Sequence, residues 1–251
     1  IADTTYSTST NLSGAPSGAR FVEVFQNKIY FADVLVSGTR YPSRWYRSSI
    51  PDTSNNITWT STDYEETYTD NGEPLKGVHT NKTLNQLLFF KETSLHAWDG
   101  FRLKDVGNVG TTAHRTIVTI NYTTFFWNEK GMFAYSGREP MMISRPIQKW
   151  VDGISDPTAL FSAGFDNRVV KTFVGNVTVD GVSYSNCEFV YNILDNTWTI
   201  YSYFDTFTSY ALHKESNIIR VYGGTSDGEI HKLAARNDAV YSDDGNPISA
   251  Q

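Results

Sequence analysis

The amino-acid sequence predicts an all-β protein built from short antiparallel strands, and three observations carry that expectation. Aromatic residues make up 14% of the 251-residue chain, with 15 Phe, 15 Tyr and 6 Trp, and such rings favour strands over helices. Short apolar segments run along nearly the whole chain, separated by Asn71-Gly72, Asp99-Gly100, Asp180-Gly181, Asp227-Gly228 and Asp244-Gly245. Such dipeptides are hairpin turn signals. The segments also group into units that repeat.

Taken in order, Phe25-Gln26-Asn27-Lys28-Ile29 opens the first unit with a polar turn just ahead of an apolar strand. Residues 34–40 and 51–56 read as rim loops of that unit. The stretch 86–106 reads as a meander: a strand at 87–90, a polar turn at 91–94, a strand at 95–98, the Asp-Gly turn, then a strand at 101–103. A fourth strand joins in the next unit, with strands at 117–120, 125–127, 132–135 and 141–143. Four antiparallel strands in succession make one propeller blade. After Pro146, residues Ile147, Trp150, Val151 and Ile154 fall at helical spacing and Asp152-Gly153 ends the segment, so a short helix is expected between the third and fourth units. Phe165-Asp166-Asn167-Arg168-Val169 and the stretch 213–218 repeat the polar turn before a strand, and residues 176–185 read as a loop free to contact neighbours.

Ile29, Leu87, Phe125, Val169 and Ile218 are then equivalent positions, at spacings of 58, 38, 44 and 49 residues. Their average of about 47 is close to known propeller periods. The expected architecture is a β-propeller of about five four-stranded antiparallel blades over residues 21–240. A polar arm at 1–20 precedes it, and residues 241–251 start a further strand or segment. A β-sandwich also needs many short strands with regular turns, and it stands as the alternative. Ile1 in place of Met and the strand-like start at 244–249 read as the ends of a piece of something longer.

Charge and motifs exclude more than they assign. The chain carries 21 Lys and Arg against 27 Asp and Glu, and the resulting −6 repels phosphate backbones and anionic membranes. Its longest apolar run, 87–90, is far below the ~20 residues of a membrane helix, so no membrane partner is expected. The lone Cys187 has no disulfide partner within the chain and is expected to be buried. Histidines 79, 96, 114, 213 and 231 lack paired metal spacing, and Gly107-Asn108-Val109-Gly110 lacks the rest of a nucleotide motif, so neither metal nor cofactor is expected. Gly224-Thr225-Ser226-Asp227-Gly228 matches a nucleophile-elbow pattern, with His231 downstream, but strand-like segments flank it on both sides. Ser226 is read as a turn residue. Glu65, Glu66, Asp99, Asp166 and Glu188 are candidates for a glycosidase pair, which needs two carboxylates about 5 to 9.5 Å apart, but nothing in the sequence selects which of them converge, and carboxylates beside Gly or Asn are more often turn formers. No catalytic residue is assigned, and the chain is expected not to be an enzyme.

One cluster stands out as a possible contact site. Arg40, Arg44, Trp45, Tyr46 and Arg47 combine positive charge with rings, a composition that holds a phosphate or stacks on a base. Strand alternation puts Trp45 on one face and Arg44 and Tyr46 on the other, which equally describes a solvated edge or a subunit contact.

Residues 24–32, 44–52, 77–84 leading into 87–95, then 111–117, 128–136 and 143–154 span most of the chain. Together these segments resemble the β-propeller domain of bacteriophage tail proteins, especially the nozzle and portal-proximal closure proteins of short-tailed phages. The resemblance implies a structural component of the virion tail without a catalytic site. It also implies a homo-oligomeric ring around the DNA exit channel, with other tail proteins as partners and DNA passing without sequence-specific binding. In that family a tube-forming domain usually accompanies the propeller, and this sequence is expected not to include it. The alternative functions are a propeller that binds carbohydrate or a receptor through exposed rings, and a propeller glycosidase.

Overall fold

A computed structural model describes residues 15–53, 56–67, 72–165, 167–215 and 218–235, with the pairs 242–243 and 246–247. Polar two-residue turns and apolar strands build five sheets in chain order. The first contains β1 (Phe21–Phe25), β2 (Lys28–Val36), β3 (Thr39–Arg47) and β4 (Tyr64–Glu66). The second contains β5 (Gly77–Asn81), β6 (Gln86–Phe90), β7 (Leu95–Trp98) and β8 (Leu103–Gly107). The third contains β9 (Val118–Ile120), β10 (Thr123–Asn128), β11 (Gly131–Tyr135) and β12 (Met141–Met142). The fourth contains β13 (Phe161–Phe165), β14 (Val169–Val179), β15 (Val182–Asn192) and β16 (Thr197–Ser202), and the fifth β17 (Phe207–Glu215), β18 (Ile218–Thr225) and β19 (Ile230–Ala235). A short pair, β20 (Ser242–Asp243) and β21 (Asn246–Pro247), follows.

Within every sheet, hydrogen-bonded neighbours are consecutive in the chain. A Greek-key sandwich would set non-consecutive strands side by side, so the meander order selects the propeller class with five blades. Four of the sheets have four strands and the fifth has three described strands. Ile29, Leu87, Phe125, Val169 and Ile218 each fall in the second strand of their sheet, as the repeat alignment requires. The chain divides into two compact units, Ile1–Asp105 and Val106–Gln251.

Turn chemistry corrects two expected loops. Gln26 and Asn27 have φ of 48° and 60°, Ser37 and Gly38 49° and 83°, and Asp180 and Gly181 53° and 78°. Two successive positive φ values are the type I′ turn, whose twist matches the strands it joins. Ser37-Gly38 therefore closes a tight hairpin, and residues 34–40 are strand and turn instead of a rim loop, with Val34 fully buried. In the same way Asp180-Gly181 lets β14 and β15 run through 176–185, with Val177 fully buried. The expected strand at 101–103 begins only at Leu103, because the backbone amides of Phe101 and Arg102 bond the Asp99 carboxylate. Gly72 lies between the first and second sheets instead of in a hairpin, while Asn71, Asp244 and Gly245 lie outside the described residues.

The helical segment is present and short: a 3-10 turn at Arg145–Ile147 runs into α1 (Gln148–Val151). Gly153 ends it through close approach, since a Cβ there would collide with the Thr178 carbonyl, which follows the Thr178 amide that bonds Gly153 O at 2.9 Å. No helix among the described residues is long and apolar enough to cross a membrane.

Each unit has an indole at its centre. In the first, Trp45 stacks on Phe89 at 5.0 Å and meets Trp98 edge-on at 5.1 Å, so a β3 side chain is packed against β6 and β7 of the next sheet. In the second, Trp127 meets Phe189 at 6.1 Å and Trp198 at 6.2 Å, and its Nε1 donates to Thr172 Oγ1 at 3.0 Å. Trp45 has no exposed surface. Trp45→Ala is therefore expected to cost about 3–5 kcal/mol, through lost burial and the cavity left behind, read as a fall in the urea midpoint with the m-value unchanged.

Candidate functional site

The basic and aromatic cluster on β3 faces β4, and the two strands pair in register: Arg44 opposite Glu66, Trp45 opposite Glu65, Tyr46 opposite Tyr64. Cross-strand neighbours of opposite charge attract. Arg44 Nε and Nη2 both donate to Glu66 Oε1, at 2.8 and 2.6 Å. Arg47 bonds Asp63 Oδ1 at 2.8 Å and Glu65 Oε1 at 3.1 Å. Arg40 bonds Asp33 Oδ1 at 2.6 Å and donates to the Gly18 carbonyl at 2.6 Å. Each of the three guanidinium groups thus has a carboxylate partner within the chain, which leaves no excess positive charge for a phosphate backbone.

Two departures from a regular strand shape this cluster. Asp33 takes φ of 51° and is fully buried, and the β2–β3 register shifts between Ala32 and Val34. Asp is among the few side chains that tolerate the left-handed region, and a bulge locally re-aims its neighbours. Tyr41 and Arg44, three residues apart, would face opposite ways on an unbroken strand. Here the Arg44 guanidinium lies 3.8 Å from the Tyr41 ring centre and 4.0 Å from that of Tyr64. Trp45 does point to the other face, into the core with Phe89 and Trp98, so within the chain it is a core residue and no solvated edge.

A second cluster surrounds Glu188, one of the candidate carboxylates, with partners that motif reading did not supply. Glu188 on β15 is fully buried and receives Lys171 Nζ at 2.9 and 3.2 Å, Tyr203 OH at 2.8 Å and Tyr210 OH at 2.8 Å. Burial and the adjacent Glu188 charge both push the Tyr210 hydroxyl far up, so it stays a donor. Apart from Glu188 itself as a candidate carboxylate, the sequence signal for its partner was Lys171 inside the apolar run Val169-Val170-Lys171-Thr172-Phe173. A buried charge needs a buried partner, and the tyrosines satisfy the remaining carboxylate lone pairs.

The other candidates take ordinary local roles. Asp99 caps its own turn: its Oδ1 accepts from the amides of Phe101 at 3.0 Å and Arg102 at 2.9 Å, and Lys104 Nζ lies 3.1 Å from Oδ2. Those amides and the lysine hold its carboxyl down at about 2. Ser226 sits in a strand–turn–strand hairpin between β18 and β19, where Thr225 Oγ1 donates to Asp227 and accepts from the Glu229 amide. His231 lies 3.3 Å from Glu229 and 3.7 Å from Asp205. Cys187 is buried as expected, and burial pushes its thiol up. Asp166 lies outside the described residues.

Two turns carry rings into solvent. Phe101, on the turn capped by Asp99, is 93% exposed, and Phe204 is 97% exposed. The Phe204 turn is held by Asn186, whose Nδ2 donates to the Phe204 carbonyl at 3.0 Å and whose Oδ1 accepts from Thr206 at 2.8 Å.

No protein-family profile and no curated protein matches the chain. Among solved structures it is similar to the extracellular domain of a one-component system of B. thetaiotaomicron, at 11% identity over 90% of this chain and 29% of that one, with a TM-score of 0.44. The Dos1 propeller is similar at 9% identity over 84% of this chain and 57% of that one, TM-score 0.45, and an ancestral GH74 enzyme at 11% over 88% and 37%, TM-score 0.44. The chain spans less than two thirds of the length of each.

Two measurements test these clusters. Lys171→Met strands the Glu188 charge and is expected to cost about 3–5 kcal/mol, and adding Glu188→Gln recovers a large part of it, because the second change removes the buried charge that the first leaves unpaired. The Asp99 turn is intact above the ordinary carboxylate value and is lost as pH falls through about 2, since its folded value lies below its unfolded one. The Phe101 and Arg102 amide resonances are expected to titrate together with a midpoint near that value, and Asp99→Ala should speed their hydrogen exchange at neutral pH.

Proposed function

We propose that this chain is a non-catalytic structural module of a bacteriophage virion tail, a nozzle or tail-hub propeller around the DNA exit channel. The observation that carries the structural part is the pair of braced turns that present Phe101 and Phe204. Single exposed apolar residues are ordinary. A ring mounted on a turn whose backbone is already hydrogen-bonded is different, because docking it orders little further chain. Aromatic anchors of this kind supply much of the energy of protein interfaces.

Charge supports the same reading. The guanidinium groups of Arg40, Arg44 and Arg47 are neutralised by carboxylates of the same chain, and the net −6 repels phosphate. A module beside moving DNA needs such indifference. The Lys171–Glu188 centre joins the fourth sheet to Tyr203 and Tyr210 ahead of and within the fifth, so its buried charges brace the scaffold. The phage assignment rests on the segment resemblance described above. Its partners are further copies in a ring and neighbouring tail proteins, and its place is the virion.

Electron microscopy of the source particle tests this directly: a ring of copies on the tail axis is the expected result, and isolated monomers that turn over a substrate overturn it. In the assembled protein, Phe101→Ser with Phe204→Ser is expected to change monomer stability by less than about 0.5 kcal/mol while lowering incorporation into the ring at least tenfold.

A further inference from the structure

The β14–β15 hairpin outruns the strand beside it. β15 has 11 residues and β16 has 6, and their pairing ends where Cys187 meets Ser202, with one further bond from the Tyr203 amide to Asn186 O at 3.1 Å. Residues 182–185 therefore present a strand edge that no described strand covers. We propose that this edge pairs, antiparallel and about a two-fold axis at Ser183, with the same edge of a second copy of the chain.

Hairpin geometry decides which groups that edge presents. Asp180-Gly181 is a two-residue turn, so Val179 and Val182 exchange the closing hydrogen bonds, and the next pair, Thr178 and Ser183, turn their backbone groups outward. On the β14 side the outward groups are used: the Thr178 amide donates to Gly153 O at 2.9 Å and the Ser155 amide to Asn176 O at 3.0 Å, so residues 153–155 cover that edge. No described segment takes the matching place beside Ser183. Outward N–H and C=O groups of this kind are a template for a further strand, and proteins guard them with charges or proline. Here the guards are missing, since Gly181 to Cys187 contains neither a charge nor a proline, and the nearby Asp180 is already paired with Lys149 Nζ at 2.6 Å.

Side chains then select the occupant. Antiparallel pairing centred on Ser183 sets that residue opposite itself, where the two copies exchange both backbone hydrogen bonds. It also sets Val182 opposite the second copy's Tyr184, and Tyr184 opposite its Val182. A β-branched side chain facing an aromatic one is a favourable cross-strand pair, and the two-fold axis makes it twice. Val182 and Tyr184 are 52% and 38% exposed and share one face of the hairpin, the face on which Tyr184 meets Trp150 at 5.0 Å. Pairing thus joins two small apolar patches into one. A contact between identical edges is isologous and stops at two copies. It does not fit a ring whose copies all face one way, so it goes beyond the tail reading and belongs to the chain outside the particle.

The test is sedimentation equilibrium of the purified full chain. A monomer–dimer equilibrium with a Kd of about 10–1,000 µM is expected, since so small an interface is weak. Ser183→Pro removes the outward N–H without taking a bond from the hairpin, and should weaken the dimer at least tenfold while the thermal midpoint of the monomer is kept. Charges read the register even if that variant fails to fold, because the Ser183 side chain is exposed. Ser183→Asp and Ser183→Lys should each lose self-association, and an equimolar mixture of the two should restore it, because only a two-fold axis at Ser183 sets those charges face to face. A chain that stays monomeric at about 1 mM, assemblies larger than a dimer, unchanged association in Ser183→Pro, or a charge-swapped mixture that stays monomeric overturns the proposal.

Discussion

The burial of large rings between successive sheets is the constraint on which the rest of this structure depends. Packed sheets lie about 10 Å apart, and a meander of short strands presents few side chains per sheet with which to fill that space. Indole and phenyl groups fill it with the fewest residues. Trp45 against Phe89 and Trp98 in one unit, and Trp127 against Phe189 and Trp198 in the other, solve the same problem twice. Within each unit a blade therefore depends on its neighbour for its core, and the strands can be as short as the two residues of β12 or the three of β4 and β9.

Several polar groups are built into that core with their partners. In the second unit Trp127 places its N–H on Thr172 and Trp198 places its own on the Ile143 carbonyl, so these two rings also satisfy their polar edges, whereas the buried Trp45 Nε1 finds no hydrogen-bond partner among the described residues. Glu188 extends the logic to a charge, with one lysine and two tyrosines accounting for its oxygens. On the outer face of the first sheet, charges pair across β3 and β4, and the Arg44 stack rests on rings instead of on solvent. The consequence is a surface whose distinctive features are local, above all the two braced aromatic turns.

Legibility followed the range of the interaction. The repeat was readable because a polar turn ahead of an apolar strand is a contiguous signal, and it put Ile29, Leu87, Phe125, Val169 and Ile218 in equivalent strands. Asp180-Gly181 was readable as a turn, yet the length of the hairpin around it was not, since residues 176–185 look polar and only burial of Val177 against the core shows why the strands continue. Ser37-Gly38 was missed for the same reason, its flanking strands carrying Arg40 and Pro42 where apolar alternation was sought. In the basic cluster, composition identified the residues but not their partners. Asp33, Asp63, Glu65 and Glu66 come from other strands and turns, and the meeting of Tyr41 with Arg44 depends on a register shift that alternation does not encode.

By itself, then, the sequence determined the strand class, the meander order, the five-fold repeat and the short helical interruption, because period-two patterning and turn dipeptides act over a few residues. Only the tertiary structure decided which charges are buried together and which rings reach solvent. Those outcomes depend on side chains brought together across strands and sheets, as with Lys171 and Glu188, which lie 17 positions apart in the chain yet form one buried, fully satisfied centre.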